Sequence, residues 1–515
     1  MPRFSTVKPK TYQDSVRLMR VSQTLTGLNQ VKQAMVAMGT DANKRVLEEI
    51  GLLTDDVNNA GANDLVIVVE AETDEAAHSA IEQADRLLLE SSHVISSNGA
   101  TEAPPKSQEQ ARRKLADANL MLISVPGAYA ALEAAKALQA GMHVFLFSDN
   151  VTREEELALK KLAVAKGLLM MGPGCGTAVI NGVALAFANA LKRGPVGVVG
   201  ASGTGLQELT TLIDRGGVGI SQAIGVGGRD LSESIGGLMM LQGLAMLAAD
   251  PDTKVIGLIS KPPHPSVTPK ILAAARATGK PIIVNFLGDK ETGVKEGLHL
   301  TTTIENMAEV VLRQVNGDSR NYYAPDAAEF KRLADGERER LKPGQRYLRG
   351  LFSGGSLCDE AMDILQAQLG GIYSNIAFAP EWALTDAWRS KGHCCVDMGE
   401  EEFTRGRPHP MIDPRLRQER LLKEADDAEV AVILLDVVIG YGSHDDPAGV
   451  LSQAIRAAKA KAATAGRHLS VVTHVCGTAQ DPQGLEDQER KLRAAGALVL
   501  PTNAQAAQAA AAIVR

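Results

Sequence analysis

Six small residues, Gly200-Ala201-Ser202-Gly203-Thr204-Gly205, stand between a valine-rich run and the start of a helical pattern. Free N–H groups at a helix start, approached closely where glycine replaces a side chain, make a pocket for phosphate or carboxylate. Ser202, Gly203, Thr204 and Gly205 are the candidate donors, although the two hydroxyls serve equally well as helix caps. The turn lacks the lysine of a Walker loop and the spacing of G-x-G-x-x-G, which disfavours a Walker-type nucleotide site. A second cluster, Gly225-Val226-Gly227-Gly228-Arg229-Asp230, ends the following strand. Carboxyl ends of adjacent parallel strands share one crevice. Gly227 and Gly228 are therefore expected to face the first turn, with Arg229 as a bidentate donor to the same anion; an Arg229–Asp230 pair is the alternative. Ser353-Gly354-Gly355-Ser356 repeats the anion-turn logic, so Ser353, Gly354, Gly355 and Ser356 are candidates too. Gly477 and Thr478, after Cys476, close another strand, and Asp436 with the run Gly440 to Pro447 closes a third.

Other residues offer charge or protons. Thr404 to Pro414 carries Arg405 and Arg407 around three prolines and His409, a rigid cationic segment that fits an anionic substrate or serves as a stiff connector. His409 and His444 are candidate proton carriers. Asp445 and Asp446 have the chemistry for a hard cation, but no metal is expected. Cys175, in Gly172-Pro173-Gly174-Cys175-Gly176, is either a nucleophile beside an oxyanion loop or a small buried turn residue, with no histidine partner identifiable. Cys394 and Cys395 are neighbours on a strand, face opposite ways and receive no chemistry.

The elements that must hold these loops follow from composition and period. The chain has 515 residues, 45% of them hydrophobic but only 3% aromatic; at about 100 to 200 residues per domain it makes three or four domains. Cores of Ala, Val, Ile and Leu suit parallel α/β layers. A net charge of −7 disfavours a general nucleic-acid binder. Five cysteines without a C-x-x-C pair exclude a disulfide scaffold and argue against structural zinc. Met1 to Arg20 shows no signal-peptide pattern, and the Ala-rich tail is interrupted by Gln508. A cytoplasmic protein without a membrane span is expected.

Residues 1–94 read as a small α/β unit, 95–113 as a linker, 114–193 as a Rossmann-like unit of alternating strands and helices, 194–318 as a second doubly wound unit, 319–346 as a charged bridge, and 347–515 as a third unit with an insertion at 371–422. Leu351 to Ser356 echoes Val198 to Gly205, Val430 to Val438 echoes Val255 to Ile259, His468 to Val475 echoes Pro281 to Phe286, and Leu498 to Ala510 echoes His299 to Val311. The last two units thus repeat one plan.

Taken together, the chain resembles the FdrA family, part of the acyl-CoA synthetase (succinate–CoA ligase-like) superfamily, over nearly its whole length. The resemblance rests on Phe147 to Thr152, Met171 to Thr177, Val199 to Gly205, Ala223 to Leu231, Gly406 to Pro414 and Leu434 to Gly442. It implies a multidomain α/β fold: a CoA-binding-type Rossmann domain, two flavodoxin-like succinyl-CoA synthetase-like domains and a small N-terminal domain. Gly172, Pro173, Cys175 and Gly176 would lie on the cofactor side. In the ligases the glycine turn receives the phosphate of a phosphohistidine; Ser202, Gly203 and Thr204 match that turn, and Glu208 matches the carboxylate that supports the histidine. The ligases carry the histidine in a Gly-His-Ala-Gly loop, where this chain has Gly288 to Gly293 without one, and His299 comes too late to replace it. An ATP-grasp domain and the usual CoA-domain glycine pattern are not evident either, so the scaffold is kept without the ligase chemistry.

FdrA proteins are associated with oxamate carbamoyltransferase, as one of several subunits, interconverting oxamate plus carbamoyl phosphate with oxalurate plus phosphate during allantoin degradation. The resemblance therefore implies phosphate on Ser202 to Gly205, steadied by Arg229 or Arg407. It implies a homo- or hetero-oligomer with subunits encoded beside it, and no required cofactor, though CoA fits the superfamily. The alternatives are an acid–CoA ligase that recruits a nucleotide-binding partner, and a non-catalytic ligand-binding scaffold.

Overall fold

A computed structural model describes residues 2–11, 13, 15–90, 104–324, 326–405 and 407–515. Much of the expected linker, together with Pro325 and Gly406, lies outside the described residues. The chain divides into two compact units, residues 1–107 with 405–408, and the remainder.

The first unit holds β1 (Arg3–Lys8), α1 (Ser15–Thr26), β2 (Val31–Met38), α2 (Asp41–Glu49), α3 (Asp55–Asn58), β3 (Leu65–Ala71) and α4 (Asp74–Glu90). Its antiparallel sheet runs β1-β3-β2. Every residue of β3 is buried, because Ile67 and Val69 pack under α1 and α4 while Val66 and Val68 pack against Leu47, Leu52 and Val57 on the opposite face. The sequence pattern signals helices at Asp14 to Leu28 and from Thr73 and strands at Val31 to Met38 and Asp64 to Glu70, but not the edge strand β1 or the helices α2 and α3.

The second unit begins with α5 (Gln108–Lys114), β4 (Leu120–Ile123), α6 (Gly127–Gln139), β5 (His143–Leu146), α7 (Arg153–Ala165) and β6 (Met170–Met171). The three strands form a parallel sheet, β4-β5-β6. Next come β7 (Thr177–Ile180), β8 (Val183–Ala186), β9 (Arg193–Ala201), α8 (Gly203–Arg215), β10 (Ile220–Gly225), α9 (Leu238–Ala249), β11 (Val255–Ser260), α10 (Thr268–Ala277), β12 (Ile282–Phe286), β13 (Gly293–Lys295), β14 (Leu298–Thr301) and α11 (Ile304–Asn316). They build an eight-stranded sheet, β13-β14-β12-β11-β9-β10-β7-β8. The β7–β8 hairpin joins this sheet antiparallel to β10, although the sequence reading grouped it with the preceding unit.

After α12 (Ala327–Arg338) follow β15 (Tyr347–Phe352), α13 (Gly355–Leu369), β16 (Cys394–Asp397), α14 (Glu401–Thr404), α15 (Arg415–Glu424), β17 (Val430–Val438), α16 (Pro447–Thr464), β18 (Ser470–Cys476), α17 (Leu485–Ala494), β19 (Leu498–Leu500) and α18 (Asn503–Val514). This sheet is parallel throughout, β16-β15-β17-β18-β19. It repeats the order β10-β9-β11-β12-β14, so the two halves share one plan. Leu209 and Leu212 of α8, Val311 of α11, Leu357 and Ala361 of α13 and Ala507 of α18 lie in one core that joins them.

Candidate functional site: two opposed helix starts

The strands β9 and β15 each end in small residues that let a helix begin at once, and the shared core points these two starts at each other. Ser202 Oγ lies 2.6 Å from Ser356 Oγ, both residues buried. A β-carbon on Gly354 would stand 2.9 Å from the Thr204 side chain. First-turn N–H groups have no acceptor within their own helix, and neither helix is capped by the side chain of its N-cap residue. The first-turn N–H groups of Gly203, Thr204 and Gly205 and those of Gly355, Ser356 and Leu357 thus belong to two helix starts that meet at the Ser202–Ser356 contact, each the positive end of a helix dipole.

The turns are not equivalent. Asp436, in β17, accepts from the N–H of Ser353 at 2.8 Å, the N–H of Gly354 at 2.8 Å and the Ser353 hydroxyl at 3.0 Å. Arg417 of α15 balances that carboxylate at 2.8 Å, and both are buried. Ser353 and Gly354 thus spend their donors on the protein itself, leaving Gly355 and Ser356 as the open part of the second turn.

Two groups that the sequence reading missed complete the site. Lys261 follows β11 directly; its Nζ pairs with Asp359 of α13 at 2.8 Å and would stand 3.8 Å from a β-carbon on Gly355. Burial opposes its charge, but Asp359 outweighs that and raises its pKa. Asp397 ends β16, and its Oδ2 would stand 2.5 Å from the same β-carbon. Burial, and then Glu400, pushes its pKa up to about 8. Both residues sit at carboxyl ends of parallel strands, where such a crevice forms; that rule alone points to them.

The remaining candidates lie elsewhere. The second glycine loop does adjoin the first, since Val226 N–H donates to Gly200 O at 2.9 Å. However, Arg229 turns to α7, pairing with Glu156 at 2.9 Å and donating to Val151 O at 2.8 Å, so it is not the expected anion donor. Glu156 has a stronger claim on it, buried beside Lys160, which also meets Asp230. A β-carbon on Gly227 would meet Pro173 O at 2.6 Å, whereas Gly228 has open space beside it. Gly172, Pro173, Cys175 and Gly176 are packing residues: Cys175 N–H donates to Leu146 O and Gly176 O accepts from Phe187 N–H. Burial pushes the Cys175 thiol up to about 12, which removes it as a nucleophile.

Thr478 gives its N–H to Asp481 and its hydroxyl to Ala190 O, and a β-carbon on Gly477 would strike Ile439, so both close a structural loop. His444 Nδ1 accepts the Asp446 N–H, while Asp446 caps α16 and pairs with Lys491. No metal-holding group of three occurs among the described residues. His409 reaches the edge of the site, its Nε2 2.7 Å from a β-carbon on Gly399; burial lowers its pKa to about 4, so it stays uncharged at neutral pH. Arg407 groups with the first unit. Glu208 is buried in α8, 3.5 Å from His474 Nε2 of β18, itself buried. No helix among the described residues is long and apolar enough to cross a membrane.

A family profile described as CoA-ligase matches residues 351–513, one described as CoA binding domain matches 192–288, and one described as AllF, heavy metal-associated domain matches 1–105. Residues 1–105 contain no cysteine, so they do not fit a thiolate metal centre. The uncharacterized protein YahF of Escherichia coli strain K12 is 47% identical over 499 residues, 96% of this chain and 95% of its own. The mitochondrial ADP-forming succinate–CoA ligase subunit alpha-2 of Trichomonas vaginalis is 29% identical over 153 residues, 29% of this chain and 48% of that subunit. The apo dinucleotide-forming acetyl-coenzyme A synthetase 1 of Candidatus Korarchaeum cryptofilum aligns at 16% identity over 77% of this chain and 82% of its own, with a TM-score of 0.32, too loose to carry an argument. With a near full-length relative at that identity and profiles along the chain, the protein belongs to the FdrA family of the acyl-CoA synthetase, succinate–CoA ligase-like superfamily.

Proposed function

We propose that the chain is the phosphate-handling subunit of a carbamoyl-phosphate-dependent carbamoyltransferase, interconverting oxamate plus carbamoyl phosphate with oxalurate plus phosphate. It works in the cytoplasm with subunits encoded beside it. The observation that carries this reading is the meeting of two uncapped helix starts at the Ser202–Ser356 contact, with Lys261 beside them. Six N–H donors and an ammonium suit a phosphate dianion and the charge that gathers on it as the carbon–oxygen bond breaks. A cleft of about 490 Å³ opens beside the middle of α13, lined by Pro262, Lys290, Asp363 and Phe378.

The second reading, an acid–CoA ligase, draws on the profile matches. Coenzyme A would bring a thiol as acyl acceptor, and the open N–H groups of α8 fit its phosphates. Burial of Glu208 against His474 weighs against a mobile phosphohistidine there.

Carbamoyl transfer from carbamoyl phosphate to oxamate, assayed on this protein alone and with the proteins encoded beside its gene, tests the choice. Activity in the mixture, reduced roughly 100-fold by Lys261→Met, is expected. No transfer, with phosphate released instead from ATP, CoA and a carboxylic acid, would return the ligase.

A further inference from the structure

We propose that Asp397 is the proton-transferring residue of this site, its Oδ2 receiving the proton of the acceptor nitrogen and passing it to the departing phosphate. The assignment rests on the carbamoyl-transfer reading above.

The carboxyl group is held from several sides and left open on one. Asn375 fixes its backbone, the amide donating to Asp397 O at 2.9 Å and accepting the Asp397 N–H at 3.0 Å. Oδ1 accepts the Gly399 N–H at 2.8 Å. Oδ2 has no hydrogen-bond partner among the described residues, although Asp397 is only 3% exposed. It is aimed at Gly355, the first residue of α13, where a β-carbon would come within 2.5 Å. An unpartnered oxygen of a buried carboxyl thus faces the helix start at which phosphate is placed, and Gly355 is the residue type that permits the approach.

The surroundings set its charge. Glu400 on its own loop and Asp359 of α13 oppose ionisation, while Lys261 and the Gly399 N–H favour it, and burial decides for the neutral acid near pH 7. His409, across Gly399, is uncharged, and burial keeps the Cys358 thiol protonated. A group that titrates near the working pH serves both as base and as acid.

The proton count closes. The oxamate nitrogen attacks the carbamoyl carbon, a carbon–nitrogen bond forms, and the bond from that carbon to the phosphate oxygen breaks with its electron pair going to oxygen. Ionised Asp397 takes the proton released by nitrogen and delivers it to the phosphate, which leaves as the hydrogen phosphate dianion. In the reverse direction Asp397 takes that proton as phosphate attacks oxalurate and returns it to the departing nitrogen.

The test compares wild type with Asp397→Asn in the reconstituted complex, with inorganic phosphate binding measured on the same proteins. Wild-type kcat/KM is expected to rise with pH through an inflection near pH 8 and to level off about one pH unit above it. Asp397→Asn is expected to lose about 10²- to 10⁴-fold in kcat, to bind phosphate within about 3-fold, and to lose the inflection. An unchanged kcat, or the same inflection in the variant, overturns the assignment while leaving carbamoyl transfer standing. Should the variant not fold, a wild-type profile without an inflection between about pH 7 and 9 overturns it equally. No transfer by the wild-type complex removes the parent reading and this one together.

Discussion

Asp436 and Asp397 stand one on each side of the same turn, and their environments divide their roles. Asp436 is tied to Arg417 and to two backbone N–H groups, so it behaves as a structural anion that fixes Ser353 and Gly354. Asp436→Ala leaves Arg417 buried without its counter-ion and should cost about 3–5 kcal/mol in urea unfolding. Asp397 has the opposite stability signature. Its native pKa, up to about 8 through burial, lies above its unfolded value. The native state therefore holds the extra proton between about pH 4 and 8, and stability falls as pH rises through that window. Asp397→Asn should raise the melting temperature at pH 8.5 and leave it nearly unchanged at pH 4. Asp436 was legible as a strand-end acid, but its inward aim was not, since period-2 alternation names a face only once the bulge between Tyr347 and Leu348 and the pairing of β15 are known.

At the scale of elements, the strand, small turn and helix of β9–α8 and β15–α13 were readable because helix starts have a local signature. Long side chains were not. Arg229 was expected to donate to the anion of the first glycine turn, yet α7 supplies Glu156, and a buried carboxylate outcompetes solvent for a guanidinium. Asp397 was hidden for a different reason: β16 is four residues long and lies inside what looked like an insertion, so its carboxyl end was not counted among the strand ends facing the crevice. Glycine makes the helix starts usable. Gly355→Ala places a β-carbon 2.5 Å from Asp397 Oδ2. It should weaken phosphate binding at least 10-fold, with a near-native far-ultraviolet dichroism spectrum, as titration calorimetry and dichroism would show.

Across the whole molecule, the internal repeat was legible because the matching strands β11 and β17 are buried along their whole length and read as apolar runs. The N-terminal sheet was only half legible. β1, Arg3–Lys8, is a partly exposed edge strand without apolar alternation, and its existence depends on pairing with β3. Cysteine burial gives a test of the packing as a whole. Cys175, Cys358, Cys394, Cys395 and Cys476 are all buried, and burial raises the pKa of each thiol. A thiol reagent should modify none of them in the native protein at pH 8 and all five after denaturation.

The site depends on that packing, because its two helix starts come from different halves of the chain. Titration calorimetry of inorganic phosphate into the wild type and into Lys261→Glu tests the site most directly. Lys261 is part-exposed, but its reversal also takes the counter-ion from buried Asp359, so the dichroism spectrum of each protein is recorded beside the titration. The expected result is saturable binding of one phosphate per chain to the wild type, weakened at least tenfold in a variant that keeps a near-native dichroism spectrum. Equal affinity in both proteins, or no saturable binding to the wild type, would contradict a phosphate site at the Ser202–Ser356 contact.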